Sequence, residues 1–338
     1  MLVVRTPLRV PLGGGGTDLP SYYSKYGGFL ITAAVDKYIY VMIGKRFENN
    51  IRISHYRAIE IKDQVDEIEH PVIRESLKLL NVNDGIEIVS IADIPPYTGL
   101  GSSGSFTVGL LTALHGYKND QVSPKQIAEE ACKVEIDILK RAGGKQDQYV
   151  AAFGGIICLN MDKNGNVEVS RPPISKDTIA DFESHILYFY SGVKRDAPEV
   201  QRGQDTATKR NDAQVIDALH RIKEIGKESK LALEKGDIHR FGKLLEQHWQ
   251  AKKQLSGEIT TSYIDKIYKM AMENGALGGK IMGAGGGGFF MFCCEEESRH
   301  RVRQALQAEG LREFEFKINS TGSTIMANLF PGGQLAAE

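Results

Sequence analysis

A chain of 338 residues, with 42 Lys and Arg against 43 Asp and Glu, is long enough for one large core or two moderate ones and is almost neutral. The interspersed charge gives no footprint for nucleic acid or an anionic membrane, and no apolar run reaches membrane-spanning length. Cys132, Cys158, Cys293 and Cys294 lack paired CxxC spacing, which argues against a zinc centre and for free thiols in a reducing compartment. The expected partners are therefore small molecules, with neither nucleic acid nor membrane involved, and the expected location is cytoplasmic.

Near the start, Gly13-Gly14-Gly15-Gly16-Thr17-Asp18 forms a glycine-dense loop. Alternating or β-branched runs at 28–35, 38–43, 51–54 and 59–61 predict that the first quarter is mostly sheet. A helix over 72–80 and a strand over 86–91 follow. They lead to Pro95-Pro96-Tyr97-Thr98-Gly99-Leu100-Gly101-Ser102-Ser103-Gly104-Ser105, which opens a helix running to 115. Glycines admit an anion close to the backbone, serines supply hydroxyls, and a helix start presents unpaired N–H groups with a favourable dipole. A nucleotide is the expected ligand. The Gly-Lys-Ser/Thr ending of a P-loop is missing, and so is the protein-kinase motif set. Gly99 to Gly104 does fit a dinucleotide fingerprint. However, Pro95-Pro96-Tyr97 separates it from its strand, and the acidic residue due about 20 positions later would fall near Lys125, in a predicted helix.

Ser123-Pro124-Lys125-Gln126 supplies an N-cap, a first-turn proline and a capping-box glutamine for a helix that places Ile127, Ala131, Val134 and Ile138 on one face, with Glu135 at its edge. Gly143-Gly144 ends it. Asp147 is expected in a loop before a strand, between Gln146 and Gln148, where its carboxylate could accept a proton from a hydroxyl nucleophile. Taken singly, each of the two acids reads as an ordinary turn or boundary residue. Together with the loop serines they suit magnesium, a hard cation that prefers oxygen ligands. Strands at 155–159 and 167–170 flank an Asn164-Gly165 hairpin turn, and another strand covers 186–190. Helices extend from 212 to about 274. Strands at 278–282 and 288–292, a helix over 296–309, a strand at 314–317 and a disordered tail at 331–338 complete an α+β chain with lobes expected at 1–195 and 196–330. Gly283-Ala284-Gly285-Gly286-Gly287-Gly288 is a third glycine cluster. Each glycine in ordered structure costs roughly 0.5–1 kcal/mol relative to alanine, so three such clusters point to three close backbone approaches rather than to loose turns.

In order and spacing, these loops resemble the three motifs of the GHMP kinase superfamily: Pro7 to Asp18, Pro95 to Ser105, and Lys280 to Gly287. The resemblance spans nearly the whole chain. It implies a two-lobed GHMP kinase-like α+β fold with the active site in the cleft, and ATP-dependent phosphorylation of a hydroxyl. It also implies that Asp147 is the base, with Arg9 stabilising charge beside it. Pro96, Gly99, Leu100, Gly101, Ser102, Ser103, Gly104 and Ser105, with Gly283 and Gly285, would hold the nucleotide. Ser103, or alternatively Ser102, and Glu135 would hold Mg2+, while Gly15, Gly16, Thr17 and Asp18 would hold the sugar. Gly14 to Asp18 lacks the Glu-His of galactokinases. Together with Gln146 to Tyr149 and Arg195-Asp196-Ala197, it looks most like D-glycero-D-manno-heptose 7-phosphate kinases, and is similar also to L-fucose kinases. A heptose kinase acts on the anomeric hydroxyl to give a 1,7-bisphosphate in surface-glycan precursor synthesis and needs a clamp for the second phosphate. Lys194 and Arg195 are the favoured pair, with Arg52 and Lys145 as further candidates. Trp249, Lys252 and Lys253 read as core packing with solvated lysines. Oligomeric state is left open, a homodimer being one option.

Overall fold

In the computed structural model, which describes residues 1–330 apart from 57, 194–196 and 211, the chain opens with β1 (Leu2–Gly13), buried from Thr6 onward. Pro7 and Pro11 each sit at a register break against the next strand, where a missing N–H is tolerated. A short helix, α1 (Pro20–Tyr26), leads into β2 (Gly28–Lys45). The two runs expected at 28–35 and 38–43 are therefore one strand. The intervening Asp36-Lys37 is absorbed as a bulge, because Pro7 faces Tyr38 while Leu8 faces Val35. β3 (Ile51–His55), β4 (Ala58–Lys62), α2 (Pro71–Leu79), β5 (Ile86–Ala92) and α3 (Ser102–Lys118) follow as the hydrophobic pattern predicts.

In α4 (Pro124–Cys132), Ser123 caps the Gln126 N–H, but the Gln126 side chain reaches forward to Glu130 instead of back to the cap. The expected single helix gives way to a π-turn at Lys133–Ile138. The wider turn rotates the face, so that Glu135 is buried and Ile138 is exposed, the reverse of a continuous α pattern. A further correction concerns Asp147, expected in a loop before a strand, which instead lies in the first turn of a helix, α5 (Gln146–Phe153). β6 (Ile156–Met161) and β7 (Val167–Ser170) flank the Asn164-Gly165 turn, with Gly165 at φ +84°. Then come α6 (Lys176–His185), β8 (Ile186–Tyr190), α7 (Ala197–Lys209), α8 (Ala213–Glu234), α9 (Ile238–Lys252), α10 (Ser262–Glu273), β9 (Ala276–Ile281), β10 (Phe289–Cys294), α11 (Glu296–Ala308), β11 (Arg312–Phe314) and β12 (Thr324–Asn328).

The larger sheet runs β12-β1-β2-β5-β3-β4, with β6 pairing the first part of β2 and carrying β7; the smaller runs β11-β8-β10-β9. Among the described residues, all pairings are antiparallel except β3 with β5. The architecture is α+β. The sheets do not divide the chain at residue 195, since β8 belongs to the smaller sheet and β12 returns to pair with β1. One apolar cluster gathers Leu8, Leu30, Val41, Leu110 and Tyr149, and a second gathers Ile222, Trp249, Phe290 and Phe292. Among the described residues, no helix is long and apolar enough to cross a membrane.

Candidate active site

β12 covers β1 only as far as Arg5. Beyond it the free edge of β1 receives the glycine-rich loop, where the Arg9 N–H donates to the Leu100 carbonyl at 3.1 Å. Gly99 and Gly101 have φ of +85° and +75°, and Tyr97 is held at +68°, a conformation that side chains other than glycine rarely adopt. Gly101 is the left-handed N-cap of α3 and offers no side-chain acceptor. Ser105 N–H bonds to the Gly101 carbonyl, which leaves Ser102, Ser103 and Gly104 as the unpaired first-turn donors. This corrects the expectation for Ser105: its amide is used within the helix, and its hydroxyl donates to the Pro7 carbonyl at 2.8 Å. Leu100 is buried, and Pro96, half-buried, has no N–H to offer. The third glycine loop closes against this one, because a Cβ on Gly283 would lie 2.7 Å from Gly99 Cα. Gly285 instead packs on Ile259.

Asp147 joins this loop from α5. Arg9 Nε donates to Asp147 Oδ1 at 2.7 Å and Arg9 Nη1 to the Gly99 carbonyl at 2.5 Å. The arginine is thereby fixed to both Asp147 and the loop, with its side chain 7% exposed while that of Asp147 is 28% exposed. Asp18 stands beside Asp147, accepting the Gly16 N–H at Oδ1 and the Gln146 N–H at Oδ2, both at 3.0 Å. Burial first, and then the Asp147 charge, push its carboxyl above the usual range, against backbone hydrogen bonds that pull it down. The amides flanking Asp147 turn elsewhere: Gln146 to Thr32 and Gln148 to Glu135. Gly15 approaches Gln146, and Gly16, at φ +96°, lies under Gln204. Thr17 is corrected from a sugar contact to a loop brace, since it is fully buried with its hydroxyl on the carbonyls of Gly14 and Phe29, both at 2.8 Å.

Glu135 enters from the π-turn, which supplies its buried position. Its carboxylate accepts from Ser103 Oγ, from Gln148 Nε2 at 2.7 Å and from Arg141 Nη1 at 3.1 Å. Nothing in the sequence pattern singled out Arg141. Ser102 Oγ and Gln148 Oε1 are buried without partners. Among the described residues, no cluster of three or more His, Cys, Asp or Glu could hold a metal ion on its own. One carboxylate with neighbouring hydroxyls and orphan oxygens fits a magnesium ion whose remaining ligands are water and phosphate oxygens.

The proposed second-phosphate clamp is not assembled from its minor candidates. Arg52 pairs with Glu87, while Lys145 donates to the Gly165 carbonyl and lies over the Tyr23 ring. Lys194 and Arg195 lie outside the described residues. Trp249 is core, as expected, and Lys253 is placed over its ring. Lys252 is not solvated but buried, with its ammonium on the Ile281 and Gly283 carbonyls.

Residues 68–155 match the GHMP kinases N terminal domain and residues 229–311 the GHMP kinases C terminal domain. The chain is 29% identical to the D-glycero-alpha-D-manno-heptose 7-phosphate kinase of Campylobacter jejuni subsp. jejuni serotype O:2, over 92% of this chain and 95% of that protein. It is 26% identical to the galactokinase of Pyrococcus furiosus, over 94% and 95%. The crystal structure of a D-glycero-D-manno-heptose 1-phosphate kinase from Bacteroides thetaiotaomicron superposes with a TM-score of 0.81 at 25% identity, over 98% of this chain and 100% of that one.

Proposed function

The chain belongs to the GHMP kinase superfamily and is an ATP-dependent phosphotransferase acting on a sugar hydroxyl; from that premise we propose that it phosphorylates the anomeric hydroxyl of D-glycero-D-manno-heptose 7-phosphate. The observation that carries the chemistry is the Arg9–Asp147 pair, held beside the open first turn of α3. Asp147 takes the acceptor proton as the acceptor oxygen bonds to the γ-phosphorus and the bond to the bridging oxygen of ADP breaks. Arg9 and the N–H groups of Ser102, Ser103 and Gly104 compensate charge on the moving phosphoryl group. Magnesium held by Glu135 and Ser103 would neutralise charge on the β- and γ-phosphates. Asp18, behind the base, would accept from sugar hydroxyls with its remaining lone pairs.

The likeness to the Campylobacter heptose 7-phosphate kinase supports the heptose 7-phosphate as acceptor, and the likeness to the Bacteroides heptose 1-phosphate kinase supports only a heptose-type acceptor. A kinase for an unphosphorylated sugar such as L-fucose is the second reading, favoured because Arg52 is paired with Glu87 and Lys145 is held by the Gly165 carbonyl. ADP release with Mg-ATP decides between them on a panel of D-glycero-D-manno-heptose 7-phosphate, the dephosphorylated heptose, fucose, galactose, mannose and mevalonate. Turnover of the phosphorylated heptose alone is expected, and turnover of a free sugar with none of the heptose phosphate would select the second reading. Glu135→Gln, which keeps the shape but not the charge, is expected to raise the Mg2+ concentration for half-maximal rate by about tenfold or more, together with a fall in Tm because Arg141 loses its ion-pair partner. An unchanged magnesium requirement would move the metal elsewhere.

A further inference from the structure

The reaction above leaves one group of buried side chains unused. Lys252, Lys280 and His248 lie together where β9 enters the third glycine loop, Lys280 being only 1% exposed. Lys252 Nζ donates to the carbonyls of Ile281 at 3.2 Å and Gly283 at 2.5 Å. Lys280 Nζ reaches the Leu12 carbonyl at 3.5 Å, just before the first glycine loop, and neither ring nitrogen of His248 has a partner. Among the described residues, no carboxylate forms an ion pair with either ammonium. Burying such groups unpaired is costly, and no counter-charge among the described residues offsets it. The deficit is one of negative charge, and the site next door is built for phosphates.

We propose that Lys252 is a positioning residue for phosphoryl transfer: it pins the third glycine loop and, with Arg9, places buried positive charge behind the bound phosphates. The proposal rests on the ATP-dependent reading. A continuous series of contacts connects it to the base. Lys252 holds the Gly283 carbonyl, Gly283 packs on Gly99, the Gly99 carbonyl accepts from Arg9, and Arg9 pairs with Asp147.

The electrostatics give this arrangement a measurable signature. Burial first, and then the charge of Arg9, push the Lys252 ammonium down to about 7. Burial also pushes Lys280 well down, with Lys252 and Arg9 adding to it. The groups facing Lys252 are Arg9 from β1, Lys280 from β9 and His248 from its own helix, and His248 is itself pushed well down by burial and by the two lysines. Among the described residues, no titratable side chain of α6, α8 or β10 bonds to it. A lysine titrating near neutrality is partly uncharged at pH 7.5, and an arriving polyphosphate favours its charged form. Nucleotide binding should therefore take up protons, and affinity should weaken as pH rises through this range.

The test is calorimetric titration of the full chain with Mg-AMPPNP at pH 7.5 in Hepes and in Tris, whose ionisation enthalpies differ. Net proton uptake is expected for the wild type, as is its loss in Lys252→Met. That variant should also lose about tenfold in kcat with KM for ATP changed less than about threefold. Lys252→Arg, which keeps the charge but does not titrate, should recover most of kcat without recovering proton uptake. No uptake by the wild type, a measurement that needs no variant, would overturn the proposal. So would a Lys252→Met enzyme that retains both uptake and kcat. If the wild type binds no Mg-AMPPNP, the ATP-dependent reading falls first, and the proposal falls with it.

Discussion

Asp147→Asn is expected to lower kcat by about 10²–10⁴-fold while leaving Mg-ADP affinity within a factor of a few. The asparagine fills the same volume, and its carbonyl oxygen can still accept from Arg9 Nε, so the 2.7 Å contact has a neutral substitute. What it cannot do is take the acceptor proton. A loose phosphoryl-transfer transition state asks for that proton late, which places the expectation toward the lower end of the range. Arg9 also loses its counter-ion. It is nearly buried but keeps the Gly99 carbonyl, so a stability loss of about 1–3 kcal/mol accompanies the rate effect. Measuring kcat, the ADP dissociation constant and Tm on one preparation separates the two effects. A kcat within threefold of wild type would remove Asp147 as base and leave positioning as the main contribution.

Gly104→Ala is the second large effect, and here helix propensity and tertiary contact predict opposite signs. Propensity alone favours alanine inside a helix by about 1 kcal/mol. At this position, however, a Cβ would sit 2.6 Å from Asp147 Cβ and 3.1 Å from Asp147 C and Gln148 N. Two of those three atoms are backbone, so no side chain can swing aside, and the first turns of α3 and α5 must move apart. Overpacking of this kind costs about 1–3 kcal/mol, which outweighs the propensity gain. The displacement falls between the unpaired N–H groups of α3 and Asp147, the proposed phosphate donors and base, where a shift of about 1 Å costs about 10²-fold in rate. Gly104→Ala should therefore lower both Tm and kcat, the latter by about 10²-fold. Gly143→Ala is the control: a Cβ there meets nothing within 4 Å. If both variants turn over like the wild type, α3 and α5 are not packed as described.

The elements legible in the sequence are those decided by near neighbours. Ser123-Pro124 marks a helix start because the cap and the first-turn proline act within four residues, and Asn164-Gly165 marks a hairpin because its turn needs a positive φ. The three glycine loops were visible as composition, and their order and spacing were enough to suggest the family. Two boundary errors share one cause. The π-turn at Lys133–Ile138 and the helical start at Gln146 leave no distinct mark in local propensity, yet they decide where Glu135 and Asp147 point.

By itself, then, the sequence determined that glycine loops and carboxylates exist at these spacings, because backbone conformational freedom and capping chemistry are local properties. Only the tertiary structure decided which of them meet. Arg9 and Asp147 are 138 positions apart, and the free edge of β1 brings them within hydrogen-bonding distance. Burial turned Thr17 from a ligand group into a brace, and Lys252 from a solvated charge into the support of the third glycine loop. Burial and long-range pairing depend on how sheets and helices pack, which short-range patterns do not encode.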